Sequence, residues 1–274
     1  MKIRSNYHTH TTFCDGVNTA EQMAQAAYAL GFDHLGFSGH MDPDIHMDFG
    51  AYREEIGRLR KIYEGRMQIL CGVELDCIYD PDSAPGAEYV IGSTHFLDLD
   101  TPVPMSVDSS VRSMQTLIDE YYAGDVYALT RDYYRLEAEV NDRLQCTFIG
   151  HFDLVTRFND EMHFVDETDP RYYEPALEAM EYLISQGRPF EINCGAVNRG
   201  RKKDFYPNTF LLKKLHEMGG EILISADAHS ADKLNGAFDG AAAQAAACGF
   251  THYNILHRDE FGKVIFRQLP LCED

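Results

Sequence analysis

A chain of 274 residues with 45 % hydrophobic content can bury a sizeable core and fits one large α/β barrel or two smaller domains. Its net charge of −20, from 24 basic and 44 acidic residues, repels a phosphate backbone and argues against nucleic-acid binding. No apolar run approaches the roughly 20 residues that span a bilayer, and Met1–His8 reads as mature protein rather than a secretory leader. Seven cysteines with no Cys-x-x-Cys pair argue against a disulfide framework or zinc ribbon, so Cys71, Cys146 and Cys194 are expected as buried thiols of a cytoplasmic protein.

Short apolar strands alternate with helices from end to end. Thr19-Ala20-Glu21-Gln22 reads as a capping box opening a helix to Leu30, with Gly31 as its stop. A strand over 34–38 leads to His40, a charged helix over 51–64 to a strand over 68–74, and a shorter strand over 89–93 to His95. Two Tyr-rich helical segments fill 109–143 around Gly124, before a strand over 147–150 that ends at His151. A helix over 170–186, a strand over 190–193, a helix over 209–218 and a strand over 221–225 follow. An Ala-rich helix over 237–248 precedes the last strands, 253–256 and 264–266. Between 187 and 256 each unit takes roughly 30 residues, as β-α-β crossovers require. The order implies a parallel sheet, and the lack of a long linker or repeat implies one domain over 1–274.

Chemistry-bearing residues gather at the C-terminal ends of these strands: His8, His10 and Asp15, then His40, Glu74, His95, His151, Asp227 and His229. That is the face on which (β/α) barrels build sites, whereas an open doubly wound sheet uses one switch point and few strands. Residues two apart on a strand share a face, so His8 with His10, and Asp227 with His229, can each address one ion. Imidazole and carboxylate suit zinc, manganese or iron, and nine such groups exceed the roughly three protein ligands of one catalytic zinc. Two to three ions are expected. A lone histidine is more often an ordinary core or surface residue, and His34, His46, His163, His216, His252 and His257 keep that reading. His46 and His163 sit on loops that could overhang the barrel mouth.

The ordered set His-x-His, Gly-His, Val-Glu, a strand-end His, Gly-His and Asp-x-His, from Tyr7 to His229, resembles the polymerase-and-histidinol-phosphatase (PHP) metallophosphoesterases. The resemblance implies a distorted (β/α)7 barrel, TIM-like, with a trinuclear site. One ion would take His8, His10, Glu74 and Asp227, a second Glu74, His95 and His151, and a third Asp15, His40 and His229. Aspartate at position 15, the long 109–143 insert and Gly92-Ser93-Thr94-His95-Phe96 resemble the histidinol-phosphatase branch. Hydrolysis of L-histidinol phosphate by metal-activated hydroxide would then be the activity. Three divalent ions against Asp15, Glu74 and Asp227 leave about +3, enough to stabilise a phosphoryl transition state. No phosphoenzyme is needed, and no Cys-x5-Arg loop is present.

Arg157 and Arg199 follow strand ends and offer guanidinium forks for phosphate, Arg199 more strongly because Asn193–Arg199 resembles a histidinol-phosphatase segment. Arg201, Lys202 and Lys203 read as a solvated basic run. Acidic loops with Asp42, Asp44, Asp48, Asp98 and Asp100 could receive a substrate ammonium. The alternatives are a nucleotide or sugar phosphate as substrate, an amidohydrolase, and the PHP module of a DNA polymerase. An amidohydrolase usually needs a bridging strand-end lysine, which is lacking, and the charge of −20 disfavours a polymerase module. Oligomeric state stays open.

Overall fold

The computed structural model describes residues 2–42, 45, 47–101 and 103–271. In chain order the elements are β1 (Ser5–Asn6), α1 (Ala20–Ala29), β2 (His34–His40), α2 (Phe49–Ile62), β3 (Gln68–Asp76), β4 (Tyr89–Ser93), β5 (Phe96–Leu97) and β6 (Met105–Ser106). Then come α3 (Val111–Thr116), α4 (Val126–Ala138), α5 (Val140–Leu144), β7 (Phe148–Ile149), α6 (Asn159–Met162), α7 (Pro170–Ser185) and β8 (Phe190–Asn193). The chain closes with α8 (Gly195–Asn198), α9 (Thr209–Glu217), β9 (Ile222–Ser225), α10 (Phe238–Ala247), β10 (His252–Arg258) and β11 (Val264–Pro270).

Seven strands form one parallel sheet in the order β1-β2-β3-β4-β7-β8-β9. Its two ends meet where Thr9 bridges Ala228, with His10 N donating to Ala228 O at 2.9 Å and Ala228 N to His8 O at 3.0 Å. The result is a (β/α)7 barrel. It is distorted between β3 and β4, where a single 3-10 turn, Pro81–Ser83, replaces the usual helix. The capping box forms as its sequence dictates: Thr19 Oγ1 accepts from Gln22 N at 3.2 Å, and Gln22 Oε1 accepts from Thr19 N at 3.0 Å.

The structure departs from the sequence reading in two places. The 253–256 strand does not continue the parallel barrel: β10 pairs antiparallel with β11. The hairpin lies against the N-terminal ends of barrel strands, where Gln68 exchanges two hydrogen bonds with Arg258 (3.0 and 2.9 Å) and Asn254 donates to Glu221 at 2.8 Å. The 109–143 insert is not two helices but α3, which runs on into a π-helical turn over Leu117–Tyr121, then α4 and α5, and it is preceded by the small antiparallel β5–β6 hairpin. That hairpin starts one residue after His95 and lies by the barrel mouth.

Tyr89 fills the floor beneath the site. Its hydroxyl donates to Tyr7 O (2.7 Å) and Phe37 O (2.9 Å), and its ring crosses β3 at Gly72, where a Cβ would sit 2.3 Å from the ring. Only glycine admits that ring. Cys71, Cys146 and Cys194 are free and buried. No helix among the described residues is long and apolar enough to cross a membrane.

Candidate metal centre

The barrel turns strand register into a convergent cluster. His40 and Glu74 are register partners at the ends of β2 and β3, and His95 and His151 follow β4 and β7 by two residues. His8 and His10 leave β1 on one extended segment, their ring centroids 5.2 Å apart. Asp227 and His229 follow β9. Asp227 adopts φ 48°, a left-handed backbone that a non-glycine residue takes only where its surroundings impose it.

Glu74, 1 % exposed, is the hub. Its Oε2 lies 2.9 Å from His8 Nε2 and 3.4 Å from both His10 Nε2 and His40 Nδ1. Its Oε1 lies 2.9 Å from His151 Nε2, 3.3 Å from His95 Nε2 and 2.7 Å from Ser93 Oγ. Burial pushes the carboxyl up, but His8, His40 and His95 outweigh it and hold Glu74 well below the usual range. Asp227 Oδ1 reaches His10 Nε2 at 3.5 Å and His229 Nδ1 at 3.4 Å, and Asp15 Oδ2 reaches His229 Nε2 at 3.0 Å.

Three sets have their ligand atoms within 4.8 Å of one another: His10, Asp15, His40 and His229; His8, His10 and Asp227; and His8, Glu74 and His151. His10 belongs to two of them, and His95 joins through Glu74. His10 Nε2 and His40 Nδ1 are buried without a hydrogen-bond partner although both face Glu74. Buried imidazole nitrogens that converge on carboxylates, and are orphaned without a cation, fit divalent metal ions. All nine residues expected from the sequence are in this one cluster.

Arg199 sits beside it. Its Nη1 donates to Asp227 O at 2.9 Å and its Nη2 to Asp227 Oδ2 at 3.2 Å, while its Nε is buried without a partner. Gly195 makes this approach possible, since a Cβ there would lie 2.8 Å from both Arg199 Nη2 and Asp227 Oδ2. Arg157 is tied by a 2.9 Å bond from Nη1 to Asp108 Oδ2. Both arginines line a pocket of about 510 Å³ over the cluster, together with Asp42, Ile45, Phe96, Ser106, Asp108, Leu154 and Arg201.

Other expectations do not hold. Of the five acidic loop residues, only Asp42 lines the pocket among those described: Asp48 caps α2, Asp98 faces Arg143 at 4.0 Å, and Asp100 is not part of the lining. Asp44 and His46 lie outside the described residues. His163 ends α6 at φ 51° and does not line the pocket. Lys202 is not solvated but buried, its Nζ on Thr156 Oγ1 at 2.7 Å.

Sequence reasoning missed Asp108, Asp76 and Glu191. Asp76 Oδ2 lies 3.3 Å from His95 Nδ1 and accepts from His95 N at 2.5 Å. Glu191 meets His8 from β8. Both acids face inward on strands already singled out, so the alternation of residues on β3 and β8 was the one available signal.

A seven-stranded barrel with a histidine–carboxylate cluster at its C-terminal mouth defines a metal-dependent hydrolase architecture. The PHP domain family matches residues 6–195, and the chain belongs to that family. The match ends before Asp227 and His229, which the fold brings back to the cluster. A probable histidinol-phosphatase of Schizosaccharomyces pombe is 25 % identical over 288 residues, covering 96 % of this chain and 92 % of that protein. A histidinol-phosphatase of Bacillus subtilis is 24 % identical over 262 residues, covering 85 % and 96 %. The crystal structure of histidinol phosphate phosphatase from Lactococcus lactis, complexed with zinc, L-histidinol and phosphate, superposes with a TM-score of 0.71. That likeness spans 97 % of this chain and 100 % of the other at 21 % identity, and it carries the fold.

Proposed function

We propose that the chain is a metal-dependent phosphomonoesterase that hydrolyses L-histidinol phosphate to L-histidinol and phosphate in histidine biosynthesis. The observation that carries this reading is the division of Glu74 between two groups of imidazoles, His8, His10 and His40 on one oxygen and His95 and His151 on the other. The S. pombe and B. subtilis relatives support the substrate. One ion is assigned to His8, His10, Glu74 and Asp227, a second to Glu74, His95 and His151, and a third to Asp15, His40 and His229. Zinc is the first choice, as in the L. lactis complex, with manganese or iron as the other metals this donor set accepts.

Divalent ions bound here would neutralise the phosphate and supply an activated hydroxide. The protein's own groups do the rest. Arg199 offers its unpartnered Nε–H to a phosphate oxygen while Asp227 fixes its other nitrogens. Arg157 adds a second cation to the same pocket. Asp42 and Asp108 supply acceptors for the substrate ammonium, and Ile45, Phe96 and Leu154 give apolar surface for its carbon chain and ring. Residues 1–274 act as one domain in the cytoplasm, on a small phosphate ester rather than nucleic acid.

The test is turnover of a panel of phosphomonoesters by metal-loaded protein. Histidinol phosphate should lead it. A panel led by nucleotides or sugar phosphates would leave a phosphoesterase with a different substrate, and no turnover of any ester would remove the class.

A further inference from the structure

We propose that Glu191 is a positioning residue that fixes which nitrogen of His8 faces the metal cluster. The inference rests on the metal reading of that cluster. Glu191 lies on β8, is fully buried, and reaches three neighbours. Its Oε1 is 2.8 Å from His8 Nδ1, and its Oε2 accepts from His151 N at 3.0 Å and from Asn193 Nδ2 at 2.9 Å.

The direction of these bonds follows from groups that have no choice. The backbone N–H of Gly195 donates to Asn193 Oδ1 at 2.8 Å, which turns the Asn193 amide so that its NH2 faces Glu191. The backbone N–H of His151 is likewise only a donor. A carboxylate that accepts on one oxygen from two donors still has only acceptor capacity on the other, so His8 Nδ1 carries the hydrogen. The lone pair of His8 is then on Nε2, the atom 2.9 Å from Glu74 and 3.8 Å from Asp227. Glu191, oriented by Asn193 and His151, thus sets the tautomer of a histidine that leaves the barrel two strands away. His8 is the one histidine of the cluster, among the described residues, whose outward nitrogen has a carboxylate oxygen closer than 3 Å. Such partners of metal-binding imidazoles orient the ring and raise its basicity.

Glu191→Gln separates this role from packing, because it preserves shape while it replaces an acceptor by a donor and removes one negative charge, a charge that Glu191→Asp keeps. If the glutamine oxygen keeps His151 N–H and Asn193 as donors, its NH2 faces His8 Nδ1. The histidine must then accept there and carry its proton on Nε2, where it cannot bind a metal. If the amide is turned over, its NH2 opposes two donors instead.

The experiment is zinc affinity by competition with a chelator, for wild type, Glu191→Gln and Glu191→Asp, with thermal melting of the metal-free proteins as control. Glu191→Gln should lose roughly 10- to 100-fold in zinc affinity at a nearly unchanged metal-free melting temperature. Glu191→Asp, which keeps acceptor-only character, should recover part of the loss. Imidazole nitrogen NMR of zinc-loaded wild type gives a reading that needs no variant: His8 should bear its proton on Nδ1. Wild-type affinity in Glu191→Gln, or a proton on Nε2 of His8 in the loaded protein, overturns the role of Glu191 alone. Failure of wild type to take up zinc removes the metal reading of the cluster, and this role with it.

Discussion

Glu74 Oε1 lies 2.9 Å from His151 Nε2 across 77 residues of sequence, while Glu74 Oε2 is equally close to His8 Nε2. One carboxylate on β3 is therefore shared by imidazoles that follow β1 and β7, and Ser93 on β4 braces it with a 2.7 Å bond. The bridging role proposed for Glu74 would make it non-redundant. Glu74→Gln should lower metal content by more than one ion per chain and reduce turnover by orders of magnitude. Elemental analysis after gel filtration is the check, and near-normal content with near-normal turnover would remove the bridge. In wild type, chelation should abolish activity and zinc or manganese should restore it.

Asp15 stands apart from Glu74 chemically. It is partly exposed, pairs with His229 at 3.0 Å and lies 3.5 Å from His10 Nδ1. Asp15→Asn should weaken the ion assigned to Asp15, His40 and His229 and spare the two that Glu74 holds. The expected result is one ion fewer per chain, with turnover down by about 10- to 100-fold. Equal loss of all ions would mean that Asp15, through His10, organises the whole cluster.

The residues that the cluster brings together were legible in the sequence because most of them lie at or just beyond the end of an apolar strand, and a parallel barrel delivers strand ends to one place. His8 with His10, and Asp227 with His229, could be paired from spacing alone. Glu191, Asp76 and Asp108 were not legible, because each gains its role from a neighbour on another element: His8 for Glu191, His95 for Asp76 and Arg157 for Asp108. The β10–β11 hairpin was misread because strand patterning does not encode which strand a segment pairs with. Lys202 was misread because a basic run says nothing about a buried hydroxyl such as Thr156 waiting for one member of it.

The opposite end of the barrel carries a pH dependence of its own. His34 Nε2 and His257 Nδ1 are 3.3 Å apart where β2 meets the β10–β11 hairpin, with Asp33 and Arg267 nearby. Burial, reinforced by His257, lowers His34 to about 4, and Asp33 does not offset this. A depressed folded-state value means that the unfolded chain binds the proton first. The stability contributed is thus complete above about pH 6.5 and is lost as pH falls towards 4, by roughly 1–3 kcal/mol. Melting of wild type and His34→Gln from pH 8 to pH 4.5 tests this, since the histidine–carboxylate cluster at the other end is common to both. Wild type should lose more stability than the variant on acidification, and parallel curves would contradict the assignment.

Selectivity is the sharpest test of substrate. Histidinol phosphate joins a phosphate dianion to an ammonium and an imidazole, and the pocket offers cations at Arg157 and Arg199 and carboxylates at Asp42 and Asp108. A site whose polar groups expect partners at both ends rejects esters that lack one end. The kcat/KM for histidinol phosphate should therefore exceed that for p-nitrophenyl phosphate or glycerol phosphate by at least about a hundredfold, ~2.7 kcal/mol of transition-state binding. Arg199→Ala should slow all three esters, because the contact proposed for Arg199 is to the phosphate they share. Asp108→Asn should act differently. It removes the negative charge that would face the ammonium and weakens the 2.9 Å bond to Arg157 to a neutral one, so it should depress histidinol phosphate by about tenfold more than glycerol phosphate. An equal loss on both esters would show that Asp108 only anchors Arg157 and takes no part in choosing the substrate.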